Sequence, residues 1–354
     1  MTNKFDYIIV GQGLAGSCLA FHLQQLGQKV LIIDEQKDNT SSKIAAGLYN
    51  PITGRKMVLT WKAHLLFDYL YEFYKNIEQK LSKSFLYDTT IYRPFVSLEE
   101  QNEWMGKSAD ENYTPFIKKL HSSPTYGQHL KDEFGGLALK KCGYLDISEF
   151  LNASEKYFRS RDLFLNEVFD YNCLEIGETV AYKDFKAEKI IFCTGTEATT
   201  GTFFSWLPFN LVKGEVLEIT PESDFEQIYN RGVFIMPRRD EKYIVGATYD
   251  TKDLTYSITE KARNTLIEKL EVIFKLDYNI SGQKAGIRPA TKDRKPFVGM
   301  HPETDKVGIF NGLGTKGVTL APYFAKQFSE YLVNGKDVDN EVNVSRYYSL
   351  YFRK

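Results

Sequence analysis

Three glycines near the start of the chain have the spacing of a phosphate-binding turn. Gly11, Gly13 and Gly16 follow a short aliphatic run, residues 6–10, and precede a segment whose apolar residues recur with a helical period. Gly11 permits a tight turn, Gly13 lets the backbone approach a pyrophosphate, and Gly16 lets the helix pack against the strand. The free N–H groups and the partial positive charge at the helix N-terminus would then bind phosphate.

An acidic residue stands where the ribose of an adenosine would be bound. Residues 30–33 predict a second buried strand, which ends at Asp34 and Glu35. A carboxylate at Asp34 would accept hydrogen bonds from ribose hydroxyls and would disfavour the 2′-phosphate of NADP. Strand, turn, helix, strand and acid in this order predict a site for an adenine dinucleotide. NAD and FAD both remain open at this point.

A second glycine-rich turn lies near the other end of the chain. Residues 307–310 predict a short strand, and the turn at 311–317 leads into a helix predicted over 318–333. The N–H groups of this turn and helix can also bind an anionic group. A glycine-rich connection without a ligand is the alternative, but two such turns suit a long cofactor with charge at both ends.

The composition indicates a folded protein with no electrostatic preference for nucleic acid. The 354 residues include 45 Lys and Arg against 46 Asp and Glu, which gives a formal net charge of −1. This balance argues against binding through nucleic-acid phosphates, so we expect no nucleic-acid partner. Aromatic residues make up 14% of the chain, a content that suits either an ordinary core or a pocket for a flat ligand.

The spacing of cysteine and histidine predicts neither a disulfide framework nor a metal site. The four cysteines, at positions 18, 142, 173 and 193, are far apart, and neither CxxC nor HExxH occurs. Such cysteines are typical of a reducing compartment. No segment approaches the ~20 apolar residues of a membrane span, and the polar N-terminus does not resemble a signal peptide. We therefore expect a cytoplasmic protein without a membrane span.

The remaining patterns predict further buried and antiparallel strands. A buried strand over 189–193 ends at Thr194 and Gly195, and ligands of open α/β sheets bind at such carboxyl ends. Alternating apolar and polar segments between 211 and 249 predict an antiparallel sheet. The length suggests about two domains.

Five segments of the chain, in order, resemble the D-amino acid oxidase-like family of FAD-dependent oxidoreductases, which includes glycine oxidase, sarcosine oxidase and D-amino acid dehydrogenase. The resemblance extends over nearly the whole chain. The first segment occurs in all dinucleotide folds, whereas the last two are much more specific. The segments are GQGLAG at 11–16 with Asp34, SSKIAAG at 41–47, FCTG at 192–195, GIRP at 286–289 and GLGTKG at 312–317.

The resemblance implies an α/β fold in which a Rossmann-like FAD-binding domain is combined with a discontinuous second α+β substrate domain that contains an antiparallel sheet. The FAD-binding domain would comprise residues 1–84, 145–205 and 285–354, and the substrate domain residues 85–144 and 206–284. FAD would be bound non-covalently, because no cysteine or histidine stands where a covalent flavin would be expected.

The resemblance also implies roles for single residues. Arg288 would bind a substrate carboxylate, with an ion pair to an acid such as Asp293 as the alternative, and Lys316 would lie at the flavin N1 and C2 carbonyl. Val168 would contact adenine through its backbone. The implied FAD-binding residues are Gly11, Gly13, Leu14, Ala15, Gly16, Asp34, Glu35, Ser42, Lys43, Ala46, Gly47, Leu48, Val168, Thr194, Gly195, Gly314, Thr315, Lys316, Gly317 and Val318.

The implied reaction is the oxidation of an amine, in particular an amino acid or N-alkyl amino acid, by hydride transfer to flavin N5. Three alternatives stay open: a flavin-dependent tRNA-modifying enzyme, a nicotinamide-dependent dehydrogenase, and a non-catalytic flavin-binding redox protein. The neutral charge argues against the first, and the second leaves the segments at 286–289 and 312–317 unexplained. The electron acceptor and the oligomeric state are left open.

Overall fold

The computed structural model describes residues 3–239 and 242–353, which form helices on two large sheets. The helices are α1 (Leu14–Gln25), α2 (Ser41–Ile44), α3 (Ala63–Leu81), α4 (Leu98–Lys107), α5 (Ile147–Arg159), α6 (Glu260–Ile273), α7 (Gly317–Asn334) and α8 (Tyr348–Tyr351). The strands are β1 (Asn3–Val10), β2 (Val30–Asp34), β3 (Leu48–Tyr49), β4 (Ile52–Thr53), β5 (Val58–Leu59), β6 (Leu86–Asp88), β7 (Ile91–Pro94), β8 (Ile117–His121), β9 (Gly136–Leu139), β10 (Gly143–Leu145), β11 (Phe164–Asn166), β12 (Leu174–Ile176), β13 (Val180–Tyr182), β14 (Phe185–Phe192), β15 (Val212–Pro221), β16 (Ile228–Arg231), β17 (Val233–Pro237), β18 (Tyr243–Gly246), β19 (Tyr278–Arg288), β20 (Phe297–His301) and β21 (Thr304–Asn311).

The first sheet combines strands that are far apart in the sequence. Its order is β11-β2-β1-β14-β13-β12, and β21 and β20 continue it from β14. Strands β11, β2, β1, β14 and β21 are parallel, and α1 and α7 pack against each other and against this sheet. Parallel strands need long crossovers, and helices in those crossovers cover the sheet. The buried strands predicted at 6–10, 30–33 and 307–310 all lie in this parallel core.

The second sheet has the order β19-β15-β18-β17-β16-β7-β9-β8. Its pairs are antiparallel apart from β16 and β7. Leu266 and Leu270 of α6 pack into the hydrophobic cluster on one face of this sheet. The predicted antiparallel sheet between 211 and 249 is confirmed, and strands β7 to β9 extend it. The predicted α/β fold class with a second, largely antiparallel sheet is therefore correct, while the domain boundaries stay a prediction.

Most of the aromatic content is used in the core. Phe21 of α1, for example, packs against Phe150 and Phe158 of α5 with ring centroids 6.4 and 5.0 Å apart. In the part of the chain that the structure describes, no helix combines the length and apolar character that crossing a membrane requires.

Gly16 is the point at which α1 touches the turn that precedes it. A Cβ added there would lie 1.9 Å from the carbonyl oxygen of Gly11 and 3.2 Å from the side chain of Ile9. Backbone atoms cannot yield as a flexible side chain can, so any larger residue would push α1 away from β1.

We expect Gly16→Ala to lower the free energy of unfolding by about 1–3 kcal/mol, the usual range for overpacking. Gly106→Ala is the matched control, because a Cβ on this glycine of α4 meets nothing within 4 Å. The control should raise stability by up to about 1 kcal/mol through helix propensity. Denaturant unfolding of both variants measures the difference, and equal stability would contradict the role given to Gly16.

Candidate active site

A cavity of about 1040 Å³ lies between the carboxyl ends of the first sheet and one face of the second. This volume is at the upper end of the range for small-molecule sites, so it can hold a large cofactor beside a small substrate. Most of the residues singled out from the sequence line it. They are Gly11, Gly13, Leu14, Ala15, Asp34, Glu35, Ser42, Ala46, Gly47, Leu48, Thr194, Gly195, Arg288, Gly314, Thr315, Lys316, Gly317 and Val318.

Three of the predicted residues do not line the cavity. Gly16 lies below the turn, against Gly11, in the packing role that its spacing predicts. The Lys43 ammonium donates to the carbonyl oxygen of Gln36 at 3.4 Å. The side chain of Val168 is exposed, and its neighbours in sequence are the ones that face the cavity. A backbone contact from Val168 to adenine stays a prediction.

Helices α1 and α7 both begin at this cavity. A Cβ on Gly317, the first residue of α7, would lie 3.0 Å from Cδ1 of Leu14, the first residue of α1. Both helices are fully described, and neither has an acidic residue in its first turn or a side-chain cap. The N–H groups that lack an intrahelical acceptor at both helix N-termini, together with the helix dipoles, therefore make this part of the cavity a site for anions.

Asp34 is held in place by the backbone at the end of β2. The N–H of Gln12 donates to its Oδ2 at 2.6 Å, and the N–H of Gln36 donates to its Oδ1 at 2.6 Å. Each carboxylate oxygen can accept a second hydrogen bond. The oriented carboxylate can therefore bind two ribose hydroxyls, as its place after β2 predicts.

Two hydroxyl groups on the cavity wall are available to a phosphate or a ribose. Ser42 Oγ accepts a hydrogen bond from the N–H of Leu14 at 3.3 Å, which leaves its own proton for a ligand. Thr194 Oγ1 is buried and has no hydrogen-bond partner within the described residues. An unpaired buried hydroxyl costs about 1–3 kcal/mol, so a ligand that bonds to Thr194 would recover this energy.

Lys316 brings a positive charge to the second turn. Its Nζ lies 3.2 Å from Oγ1 of Thr60 and 3.5 Å from Oγ1 of Thr53, and no carboxylate pairs with it among residues 3–239 and 242–353. Burial, together with the charge of Arg294, lowers the pKa of Lys316. A cation held in this way can stabilise negative charge on a bound ring.

Arg288 lies across the backbone of Gly214, on the neighbouring strand. A Cβ on Gly214 would lie 1.9 Å from Nη2 and 2.3 Å from Nη1 of Arg288. The guanidinium donates to the carbonyl oxygen of Thr248 at 3.3 Å, and burial lowers its pKa. Gly214 was missed in the sequence, although a glycine inside a predicted strand often marks a close approach of another group.

The ion pair considered as an alternative for Arg288 does not form. Asp293 is bound by Arg346 instead, at 3.1 Å. Within the described residues no carboxylate pairs with Arg288, and the guanidinium faces the cavity. It is therefore free to bind an anionic group of a ligand.

A loop after β18 covers one side of the cavity. Tyr249 and Tyr256 line the cavity, and the hydroxyl of Tyr256 is 3.2 Å from Oγ1 of Thr196 on the opposite wall. The buried ammonium of Lys213 holds this loop, because it donates to the carboxylate of Asp253 at 2.6 Å.

Comparison with known proteins identifies the family. The family model DAO, described as FAD dependent oxidoreductase, matches residues 6–331. The chain belongs to this family. It is an FAD-dependent oxidoreductase, which excludes a nicotinamide-dependent dehydrogenase.

Three of the similar proteins are distant in sequence but match over almost their full length. The chain is 22% identical over 368 residues to a glycine oxidase of Bacillus subtilis, covering 96% of each protein. A crystal structure of glycine oxidase from Bacillus cereus has a TM-score of 0.75 and 20% identity, covering 94% of this chain and 96% of that one. The iminodiacetate oxidase of Chelativorans has a TM-score of 0.74 and 19% identity, covering 96% and 98%.

The residues present fit FAD. We propose that the pyrophosphate is bound by Gly13 and the N-terminus of α1, the ribose by Asp34, and the flavin by the N-terminus of α7 with Lys316. The unpaired hydroxyl of Thr194 and the absence of acidic residues from the first turns of both helices support these positions.

We expect Asp34→Asn to weaken FAD binding at least tenfold, because an amide NH₂ would face one of the two backbone N–H donors. Asp38→Asn is the control, since Asp38 is four residues away and fully exposed. Flavin fluorescence released during thermal unfolding, together with the FAD content after dialysis, measures the effect. Equal FAD retention in both variants would argue against a ribose at Asp34.

Proposed function

We propose that this enzyme oxidises a small carboxylated amine, an amino acid or N-alkyl amino acid, to the imine. The observation that carries the proposal is Arg288, a partly buried guanidinium without a carboxylate partner among the described residues, in the cavity that suits FAD. The names of the relatives, glycine oxidase and iminodiacetate oxidase, support an amino acid as the class of substrate.

Arg288 would position the substrate rather than take part in the chemistry. Charge-assisted hydrogen bonds to a carboxylate contribute about 1.5–3 kcal/mol each and can form in pairs with a guanidinium. Gly214 lets the guanidinium lie flat on the sheet, and Thr248 takes up one of its donors. The carbon that bears the nitrogen is thereby held in one place and orientation.

The reaction removes two electrons and two protons from the substrate. FAD, which we propose to be bound non-covalently, would supply the acceptor for the hydride that leaves the carbon bearing the nitrogen. The amine reacts in its neutral form, having lost a proton to solvent, and the imine that forms hydrolyses in water to a carbonyl compound and an amine or ammonia. Lys316 would stabilise the added negative charge.

Anaerobic mixing with a panel of D- and L-amino acids, glycine, sarcosine and proline should bleach the flavin absorption with at least one of them. Bleaching without oxygen reports the reductive step alone and does not depend on the electron acceptor. Flavin-loaded protein that no carboxylated amine bleaches would overturn the proposed substrate class.

Gly214→Ala should raise KM for the bleaching substrate at least tenfold, because the added Cβ would overlap the Arg288 guanidinium. Arg288→Lys should also raise KM, since a single ammonium cannot form the paired hydrogen bonds. FAD content should be unchanged in both. Gly106→Ala again serves as the control, and an unchanged KM in Gly214→Ala would contradict the assignment of Arg288.

A further inference from the structure

A second arginine that has no ion-pair partner among residues 3–239 and 242–353 lines the same cavity. Arg93 of β7 is 3% exposed, and its guanidinium donates to the carbonyl oxygens of Gly54 at 3.0 Å and Ile52 at 3.5 Å. Its Nε is buried and has no partner within the described residues. The proposed function does not use this side chain.

The carboxylate that acts most strongly on the charge of Arg93 is already paired with another arginine. Glu100 is bound by Arg231 at 2.8 Å, and no ion pair to Arg93 forms in the part of the chain that the structure describes. Burial and the charge of Arg231 lower the pKa of Arg93 to about 10, so it remains protonated at neutral pH. Buried charges in proteins are normally paired, and this one faces a cavity large enough to admit an anion.

Arg93 and Arg288 both line the cavity from the second sheet but lie several strands apart. The guanidinium of Arg288 lies over Gly214 on β15, and three strands separate β15 from β7. Four inter-strand steps of about 4.8 Å each place these two strands about 19 Å apart.

The surface between the two arginines is mainly apolar. Phe234 and Val216 line the cavity there, and both side chains fold over Gly246, where a Cβ would lie 2.7 and 2.9 Å from them. Asn230 also lines the cavity, and continuing the register of β16 with β7 places it beside Arg93. Along this wall the Arg288 guanidinium is followed by an apolar strip and then by the Arg93 guanidinium with the amide of Asn230.

We propose that Arg93 binds a second anionic group of the substrate, so that the substrate is an amino acid with an anion at the far end of an apolar chain. This inference rests on the proposed function, in which Arg288 binds the carboxylate next to the amine. The separation of the two strands favours a substrate longer than aspartate.

The test uses straight-chain dicarboxylates from succinate to sebacate as probes of the holoenzyme, each compared with its own monomethyl ester. The ester keeps the length but has one charge, and perturbation of the flavin absorption spectrum reports binding of either probe. We expect one chain length at which the dicarboxylate binds at least tenfold more tightly than its ester. Arg93→Gln should remove this advantage and leave the Kd of the ester within about twofold, and Arg93→Lys should keep part of it.

Asn230→Asp is a second variant that leaves Arg93 and its contacts to Ile52 and Gly54 in place. The new carboxylate beside Arg93 should compete with the ligand anion and also abolish the dicarboxylate advantage.

Two results would contradict the second subsite and leave the proposed function standing. In the first, the esters perturb the flavin but no dicarboxylate binds more tightly than its ester. In the second, both Arg93→Gln and Asn230→Asp keep the full advantage. If no probe perturbs the flavin, or if Arg288→Ala leaves all affinities unchanged, the carboxylate role of Arg288 fails, and this inference fails with it.

Discussion

Three cationic side chains line one cavity of this protein without a paired carboxylate among the described residues. The N-termini of α1 and α7 meet there, and Lys316, Arg288 and Arg93 line its wall without an ion-pair partner among the described residues. Cations brought together in a partly buried space repel one another and lose hydration. Anionic ligands offset both penalties, so the binding of FAD, and of the carboxylate that we propose, would also stabilise the site.

The positions of these charges depend on two glycines that backbone or side-chain atoms of a neighbouring segment approach very closely. Gly16 lets α1 lie against the turn after β1, and Gly214 lets the Arg288 guanidinium lie against β15. In both places a single methyl group would overlap its neighbour. The Rossmann-like turn and the guanidinium of Arg288, although they belong to different sheets, thus depend on the same property of glycine.

The first sheet could be predicted well because its signals are local. The β1-turn-α1-β2 unit is continuous in the chain, so apolar runs, glycine spacing and Asp34 together indicate its geometry. Single side chains were harder to place. The resemblance implies Lys43 at the cofactor, and this role stays a prediction. Its ammonium donates to the carbonyl oxygen of Gln36, because a long flexible side chain is oriented by its neighbours in space and not by its motif.

The sequence by itself determined the α/β class, the two glycine-rich turns, and the resemblance of the chain to a family of FAD-dependent oxidoreductases. Only the tertiary structure decided that Arg288 has no ion pair with Asp293, that Gly214 lies beneath it, and that Arg93 shares its cavity. The physical reason is distance along the chain. Arg93, Gly214 and Arg288 come from three strands that are far apart in sequence, and only the strand order β19-β15-β18-β17-β16-β7 brings them to one cavity.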